Sequence, residues 1–198
     1  MTDLPPVPVA APVPGAPAPA SPFADAPVFE GVRHEPRRRE LTVASVERLT
    51  PHMIRVAATG EALADFASLA PDDHVKVIVP GPGGAPVMRD YTPRAFDRQA
   101  RTLTLDFAVH EAGPATAWAL AARPGDPLTL GGPRGSRVLR GAVGRWLLVG
   151  DETALPAIAR RIEELPAGTP VETLVAVPGP ADAQVFAGAA RVTSRWLH

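Results

Sequence analysis

From Arg37 to Arg140 the apolar residues come in short runs with a like side chain at every second position, and each run ends in turn residues. That rhythm buries one face of an extended strand and gives a helix no continuous stripe. In DHVKVIVP, Val75, Val77 and Val79 share a face; in RTLTLDFAVH, Leu103, Leu105, Phe107 and Val109 do. RRELTVASVERL places Leu41, Val43 and Val46 with a slip of register, HMIRVAAT carries Met53, Ile54 and Val56, and DPLTLGGP centres on Leu128 and Leu130. After the turn GPGG, the stretch APVMRDYTPRAF reads as one strand from Val87 to Phe96. A single interruption, GPATAWALAARPGD, has Pro114 in its first turn and Gly125 beyond its end, the marks of a short helix. Six strands with one helix before the last predict a six-stranded antiparallel barrel over residues 37–140.

Past Gly141 the rhythm changes. An apolar strand from Trp146 to Val149 is followed by a helix with Leu155, Ile158, Ile162 and Leu165 on one stripe, and by a strand from Val171 to Val177. A short helix or turn near residues 181–188 then leads to a strand from Val192 to Leu197. Strand, helix, strand in succession predicts a parallel sheet, here three strands of a partial α/β domain over residues 141–198.

Residues 1–36 differ in kind. Ten of the 25 prolines fall there, alternating with Ala and Val, and each proline removes a backbone donor. The expectation is an extended, disordered Pro/Ala-rich tail, serving either as a plain linker or as a proline-motif ligand for a partner. No basic segment precedes an uninterrupted apolar stretch, and no run reaches the roughly 20 apolar residues of a membrane span. A soluble, cytoplasmic protein without membrane or nucleic-acid partners is expected, since the formal charge is only -1.

The chain has no cysteine, which excludes disulfide scaffolds, thiolate metal sites, iron–sulfur clusters and thiol catalysis. Redox chemistry in such a chain needs a borrowed cofactor. Lys76 is the one lysine among 20 basic residues, the others being arginine. Either coding bias or a need to grip phosphate with a fixed fork of donors accounts for that preference.

The stretch MRDYTPRAFD holds the chain's one tyrosine, Tyr91. Two residues apart on a strand, Arg89 and Tyr91 share a face, while Thr92 points the other way or ends the strand before Pro93. Two readings are open. One is a surface arginine beside a half-buried tyrosine. The other is a cradle for a flavin dinucleotide, with Arg89 for the pyrophosphate, Tyr91 against the ring system and Thr92 toward its reactive nitrogen. His110 similarly either hydrogen-bonds a carbonyl at a strand end or faces a ligand, and Trp118 is either core or a cavity wall. GDETALPA ends a strand and opens a helix, where open α/β sheets bind ligands, although Asp151 or Thr153 also suits a helix N-cap.

RDYTPRAFD, LDFAVHEAGPATAWALAARPGD, LGGPRGS and LLVGDETALPAIARRIEELPAG together resemble, in order and spacing, the siderophore-interacting proteins. These are flavin-dependent ferric-siderophore reductases of the ferredoxin–NADP reductase superfamily. The likeness runs from about Arg38 to the last residue. It implies an FAD-binding barrel followed by a NAD(P)-binding sheet, with FAD held by Arg89, Tyr91 and Thr92. Val109, His110, Gly113, Ala115 and Thr116 would meet the phosphates and ribityl chain. Asp151, Glu152, Thr153 and Ala154 would approach flavin and nicotinamide. The resemblance implies electron flow from NAD(P)H through FAD to a ferric siderophore, with no residue in a covalent catalytic or metal-ligating role. Lys76, Arg94 and Arg134 are candidates for attracting an anionic chelate. Family members normally continue past the strand ending SRWLH, so only the first half of the second domain is expected, with the strand Trp146–Val149 at an unpaired edge. A general flavin or ferredoxin-type reductase, and a form that only binds FAD or an iron chelate, are the alternatives.

Overall fold

A computed structural model describes residues 26–110 and 113–198. Most of the expected tail, residues 1–25, and residues 111–112 lie outside the described residues. The described chain runs through β1 (Val28–Arg33), β2 (Arg38–Thr50), β3 (Met53–Thr59), β4 (Val75–Pro80), β5 (Pro86–Tyr91), β6 (Pro93–Asp97) and β7 (Thr102–Ala108). It continues with helix α1 (Pro114–Ala121), β8 (Pro127–Gly131), β9 (Gly135–Arg140), β10 (Trp146–Asp151), helix α2 (Leu155–Glu164), β11 (Pro170–Ala176) and β12 (Arg191–Leu197).

The alternating runs form one antiparallel sheet in the order β5-β4-β8-β2-β3-β7-β6, curled into a half-barrel. Its inner face is the set the alternation predicts: Val75, Val77, Val79, Leu103, Leu105, Phe107, Leu128 and Leu130 are all buried, together with Leu63 and Phe66 from the connection between β3 and β4. Phe107 packs against Tyr91 at 4.3 Å and Trp118 at 5.6 Å between ring centroids. α1 lies against the same core through Ala115 and Ala119.

Three expectations are corrected. The stretch Val87–Phe96 is two strands, so the sheet has seven strands where six were expected. β5 pairs with β4 up to Tyr91, whereas β6 begins at Pro93 on β7 at the opposite edge. Proline has no N–H to continue the first ladder, and the chain changes partner there. Part of the expected tail is also ordered: β1 pairs antiparallel with β9, a strand the pattern did not reveal. Glu30 meets Arg140 at 2.6 Å and the Arg137 guanidinium lies 4.8 Å from the Phe29 ring centre, so this ribbon rests on polar and cation–π pairs instead of an apolar face. The connection between β11 and β12 carries a 3-10 turn at Pro180–Asp182.

β10, β11 and β12 are parallel, in that order, with β10 at the edge as expected. α2 covers one face with Leu155, Ile158 and Ile162 against Val171 and Val175. Met53 and Ala108, both on half-barrel strands, join this cluster and so weld the two sheets. Beside them, the buried Asp182 carboxylate accepts hydrogen bonds from Thr50 Oγ1 at 2.8 Å, the His52 backbone N–H at 2.8 Å and His52 Nδ1 at 2.9 Å. Burial pushes this carboxyl up, but the bonds from His52 and Thr50 outweigh it and hold it below the usual carboxylate range. Among the described residues no helix is long and apolar enough to cross a membrane.

Phe107 is fully buried and supports both Tyr91 and Trp118. Phe107→Ala is expected to cost about 3–5 kcal/mol in urea unfolding, and Phe107→Leu clearly less, because the truncation leaves a cavity under two aromatic rings.

Candidate functional site

The change of partner at Thr92 leaves a gap between the two edges of the half-barrel. Arg89 stands opposite Val77 and Tyr91 opposite Val75, so both side chains belong to the concave face of the sheet. Because β5 is an edge strand, they emerge at its rim instead of being covered. A cavity opens there. Arg89, Tyr91 and Thr92 form one wall; Asp106, Ala108 and His110, from β7 and its end, form another. Gly113, Ala115 and Thr116 close it from the start of α1, Thr153 and Pro156 from the start of α2, and His74 from just before β4.

The physical chemistry of this cavity is uneven. The half-buried Tyr91 ring backed by Phe107 gives it a flat apolar wall. Arg89 Nη1 donates to the carbonyl of its neighbour Met88 at 2.9 Å and is otherwise exposed to the opening. The first turn of α1 starts at Pro114, which has no N–H, so the amides of Ala115 and Thr116 are the first open donors at the positive end of the helix. Thr116 is buried and its Oγ1 donates to Ala108 O at 3.4 Å, tying helix to strand. Asp106 is held in a two-point pair with Arg55, at 2.7 and 2.8 Å. Burial pushes the Tyr91 phenol above its ordinary range, and the neighbouring Arg89 charge opposes that only in part.

Of the residues singled out from sequence, eight line this cavity: Arg89, Tyr91, Thr92, His110, Gly113, Ala115, Thr116 and Thr153. Val109 does not; its N–H donates to His52 O at 2.8 Å and its side chain packs on the barrel core. Asp151, Glu152 and Ala154 sit beside the cavity in the turn between β10 and α2, without lining it. There Asp151 Oδ1 accepts from Thr153 N at 2.9 Å and Thr153 Oγ1 at 2.6 Å. The hydroxyl bond is the main reason its carboxyl lies below the usual range, against a smaller opposing effect of burial. The N-cap of α2 is Ala154, with no side-chain cap, so neither Asp151 nor Thr153 caps the helix. The turn closes only over glycine, since a Cβ on Gly150 would stand 2.5 Å from that of Ala154.

Two further cavities adjoin the first. Through Gly113 it meets an apolar one walled by Trp118, Pro80 and Pro82. Through His74 it meets a basic cleft that contains Arg37, Arg38, Lys76 and Arg134. Lys76 in that cleft pairs with Asp90 at 2.7 Å. Arg94 lies elsewhere: only 12% exposed, it is paired two-fold with Glu163 of α2 and lines neither cavity. Sequence reasoning missed His74, Asp90, Asp106, Ala108 and Pro156. For His74 the alternation gave no signal: it sends Val75 and Val77 inward and His74 to the other face, and only its place at the rim, just before β4, brings it to the cavity. Asp106 carried none: its burial depends on Arg55 from a neighbouring strand.

The chain resembles known proteins over most of its length. A family model described as the siderophore-interacting FAD-binding domain matches residues 42–87 and 82–137, and one described as siderophore-interacting protein matches residues 143–198. An NADPH-dependent ferric-chelate reductase of Escherichia coli is 41% identical over 152 residues, covering 68% of this chain and 59% of that protein. The chain thus spans about 59% of the length of that relative. The crystal structure of a siderophore utilization protein from T. fusca superposes with a TM-score of 0.77 at 38% identity, over 87% of this chain and 72% of the other. The siderophore-interacting protein SipS from Aeromonas hydrophila gives 0.71 at 36% identity, over 81% and 67%.

As the single tyrosine, Tyr91 can be titrated alone by its phenolate absorbance. Its midpoint is expected above the ordinary value of about 10. Arg89→Ala should raise it further, because the positive charge that favours the phenolate is gone. A midpoint that falls in the variant would contradict the placement of the two side chains.

Proposed function

The chain belongs to the siderophore-interacting protein family, and from that premise we propose that it acts as a cytoplasmic, FAD-containing, NAD(P)H-dependent ferric-siderophore reductase. The observation that carries this reading is the convergence of Arg89, Tyr91, Thr92 and the open first turn of α1 on one cavity. FAD fits these residues. A dinucleotide needs donors for two phosphates and a flat apolar wall for its ring, and the cavity holds both. In this reading Arg89 and the Ala115 and Thr116 amides hold the phosphates, while Gly113 lets the backbone approach. Tyr91 would pack on the ring, and Thr92 and His110 would bond its polar edge and the ribityl chain. Val109 keeps the end of β7 in place from behind. Trp118 borders the apolar cavity in which the adenine end would lie.

Bound FAD supplies the redox chemistry: a hydride taken from NAD(P)H is passed on as single electrons to two ferric ions, leaving NAD(P)+, two ferrous ions and one proton. The residues of the chain position and shield. Asp151, Glu152, Thr153 and Ala154 would face the nicotinamide, and Thr153 and Pro156, which line the cavity, would cover the flavin from that side. The basic cleft reached past His74 suits an anionic ferric chelate, with Arg134 as its charge and Lys76 shared with Asp90. Arg94, bound to Glu163, has no part in it. Reduction frees the metal because hard anionic oxygen ligands hold ferrous iron much less tightly than ferric iron.

The test separates flavin binding from acceptor choice. Titration with FAD should show uptake, and Arg89→Ala should weaken it by about 1.5–3 kcal/mol, the range for a lost charge-assisted hydrogen bond. Flavin reduced by light and a sacrificial donor should be reoxidised by a ferric catecholate or hydroxamate, with ferrous iron caught by a trap. Arg134→Ala should slow that step for anionic chelates and leave FAD affinity unchanged. A folded chain that takes up no FAD refutes the proposal. Reduced flavin that ignores ferric chelates yet reduces dyes or cytochromes would make the protein a general flavin reductase.

A further inference from the structure

Arg160 is a charged residue buried to 7% exposure on α2, and its guanidinium reaches across the seam into the half-barrel. It donates to Ser68 Oγ at 2.7 Å, Ser68 O at 2.9 Å and Pro93 O at 3.1 Å, and through Nε to Glu164 at 2.7 Å. The Phe96 ring lies 5.8 Å away under the guanidinium. Burying a guanidinium is unfavourable unless nearly all its donors find acceptors, and a methionine of similar length would fill the space without that cost. What only arginine offers is a rigid fork that fixes several acceptors relative to one another.

The acceptors are the two backbone segments that flank the cavity. Pro93 follows Thr92 at the crossing point of the half-barrel. Arg94, next along, is held by Glu163, almost one turn beyond Arg160 on α2. Ser68 Oγ in turn donates to the buried Asp73 carboxylate at 2.9 Å, which also accepts from Ser136 Oγ at 2.6 Å. Asp73 precedes His74, the residue shared by the cavity and the basic cleft. One turn before Arg160, Pro156 lines the cavity itself.

We propose that Arg160 is a positioning residue that couples α2 to the flavin cavity by holding Thr92–Pro93 and Ser68–His74 in register. It touches no reacting atom; it sets where Thr92 and His74 stand against the ring. The inference rests on the FAD reading above and deepens it. A shift of α2 on nucleotide binding is then felt at the flavin through Arg160, with the Arg94–Glu163 pair beside it.

The experiment compares purified Arg160→Met, Arg160→Lys, Ser68→Ala and, as a control away from the cavity, Arg145→Met, whose exposed guanidinium pairs with Glu172 on the second sheet. The readouts are FAD affinity, the visible circular dichroism of bound flavin and its midpoint potential. Arg160→Met is expected to weaken FAD binding about tenfold and to change both the dichroism and the potential, with Arg160→Lys recovering part of each. Ser68→Ala should give a smaller change in the same direction, and the double variant should lose less than the product of the two single losses. Arg145→Met should leave all three readouts unchanged. If Arg160→Met does not fold, Arg160→Lys and Ser68→Ala carry the same comparison. Folded Arg160 variants with flavin affinity, dichroism and potential equal to the parent overturn the proposal alone. A parent chain that binds no FAD overturns it together with the functional reading.

Discussion

The missing N–H of Pro93 is the constraint on which the rest of this molecule depends. A strand that ran on through residue 93 would have to keep pairing with β4, and β6 would never reach β7. With the donor removed, pairing stops at Tyr91 and begins again on the opposite edge. One peptide step therefore curls a seven-stranded sheet upon itself without the two edges being hydrogen-bonded. The gap that remains is polar at its rim and aromatic at its wall, because the inner-face residues of β5 surface there as Arg89 and Tyr91. Edge strands ordinarily invite other strands; here the chain turns that liability into an opening walled by two helix starts.

The second sheet has to be held at a set distance from that opening, and apolar contact alone would let it slide. Met53 and Ala108 supply the apolar weld, while Asp182 and Arg160 each bring a buried charge across the seam with its hydrogen bonds satisfied. Such networks specify geometry more than they add stability, since a half-satisfied buried charge is worse than none. Together they place the turn between β10 and α2 against the cavity. The far face is left open: Leu147 and Val149 of the edge strand β10 are 67% and 62% exposed. Parallel sheets are usually covered on both faces.

Much of this was legible in the residues themselves. Period-two alternation located the half-barrel strands and their inner faces, because a strand's side chains take opposite sides whatever its partner. Period-3.6 spacing located α2 and its buried stripe. The short motifs brought eight site residues to one cavity, since neighbours on a strand or in a helix's first turn stay together in any fold. The pattern was silent where partners decide. The ribbon of β1 and β9 has no continuous apolar face, so nothing local marked Val28–Arg33 as ordered. Arg94 and Arg89 look alike in MRDYTPRAFD, yet one is captured by Glu163 and the other opens on the cavity. Arg160 looked like any polar position of an amphipathic helix until Ser68 and Pro93 stood across from it. By itself, then, the sequence determined most of the strands, the two helices and the motif that lines the cavity, all matters of local period and backbone chemistry. Only the tertiary structure decided where the Val87–Phe96 stretch divides between two edges, and which arginines are tied and which are free, because a ladder partner or a counter-charge from a distant segment has no trace in local spacing.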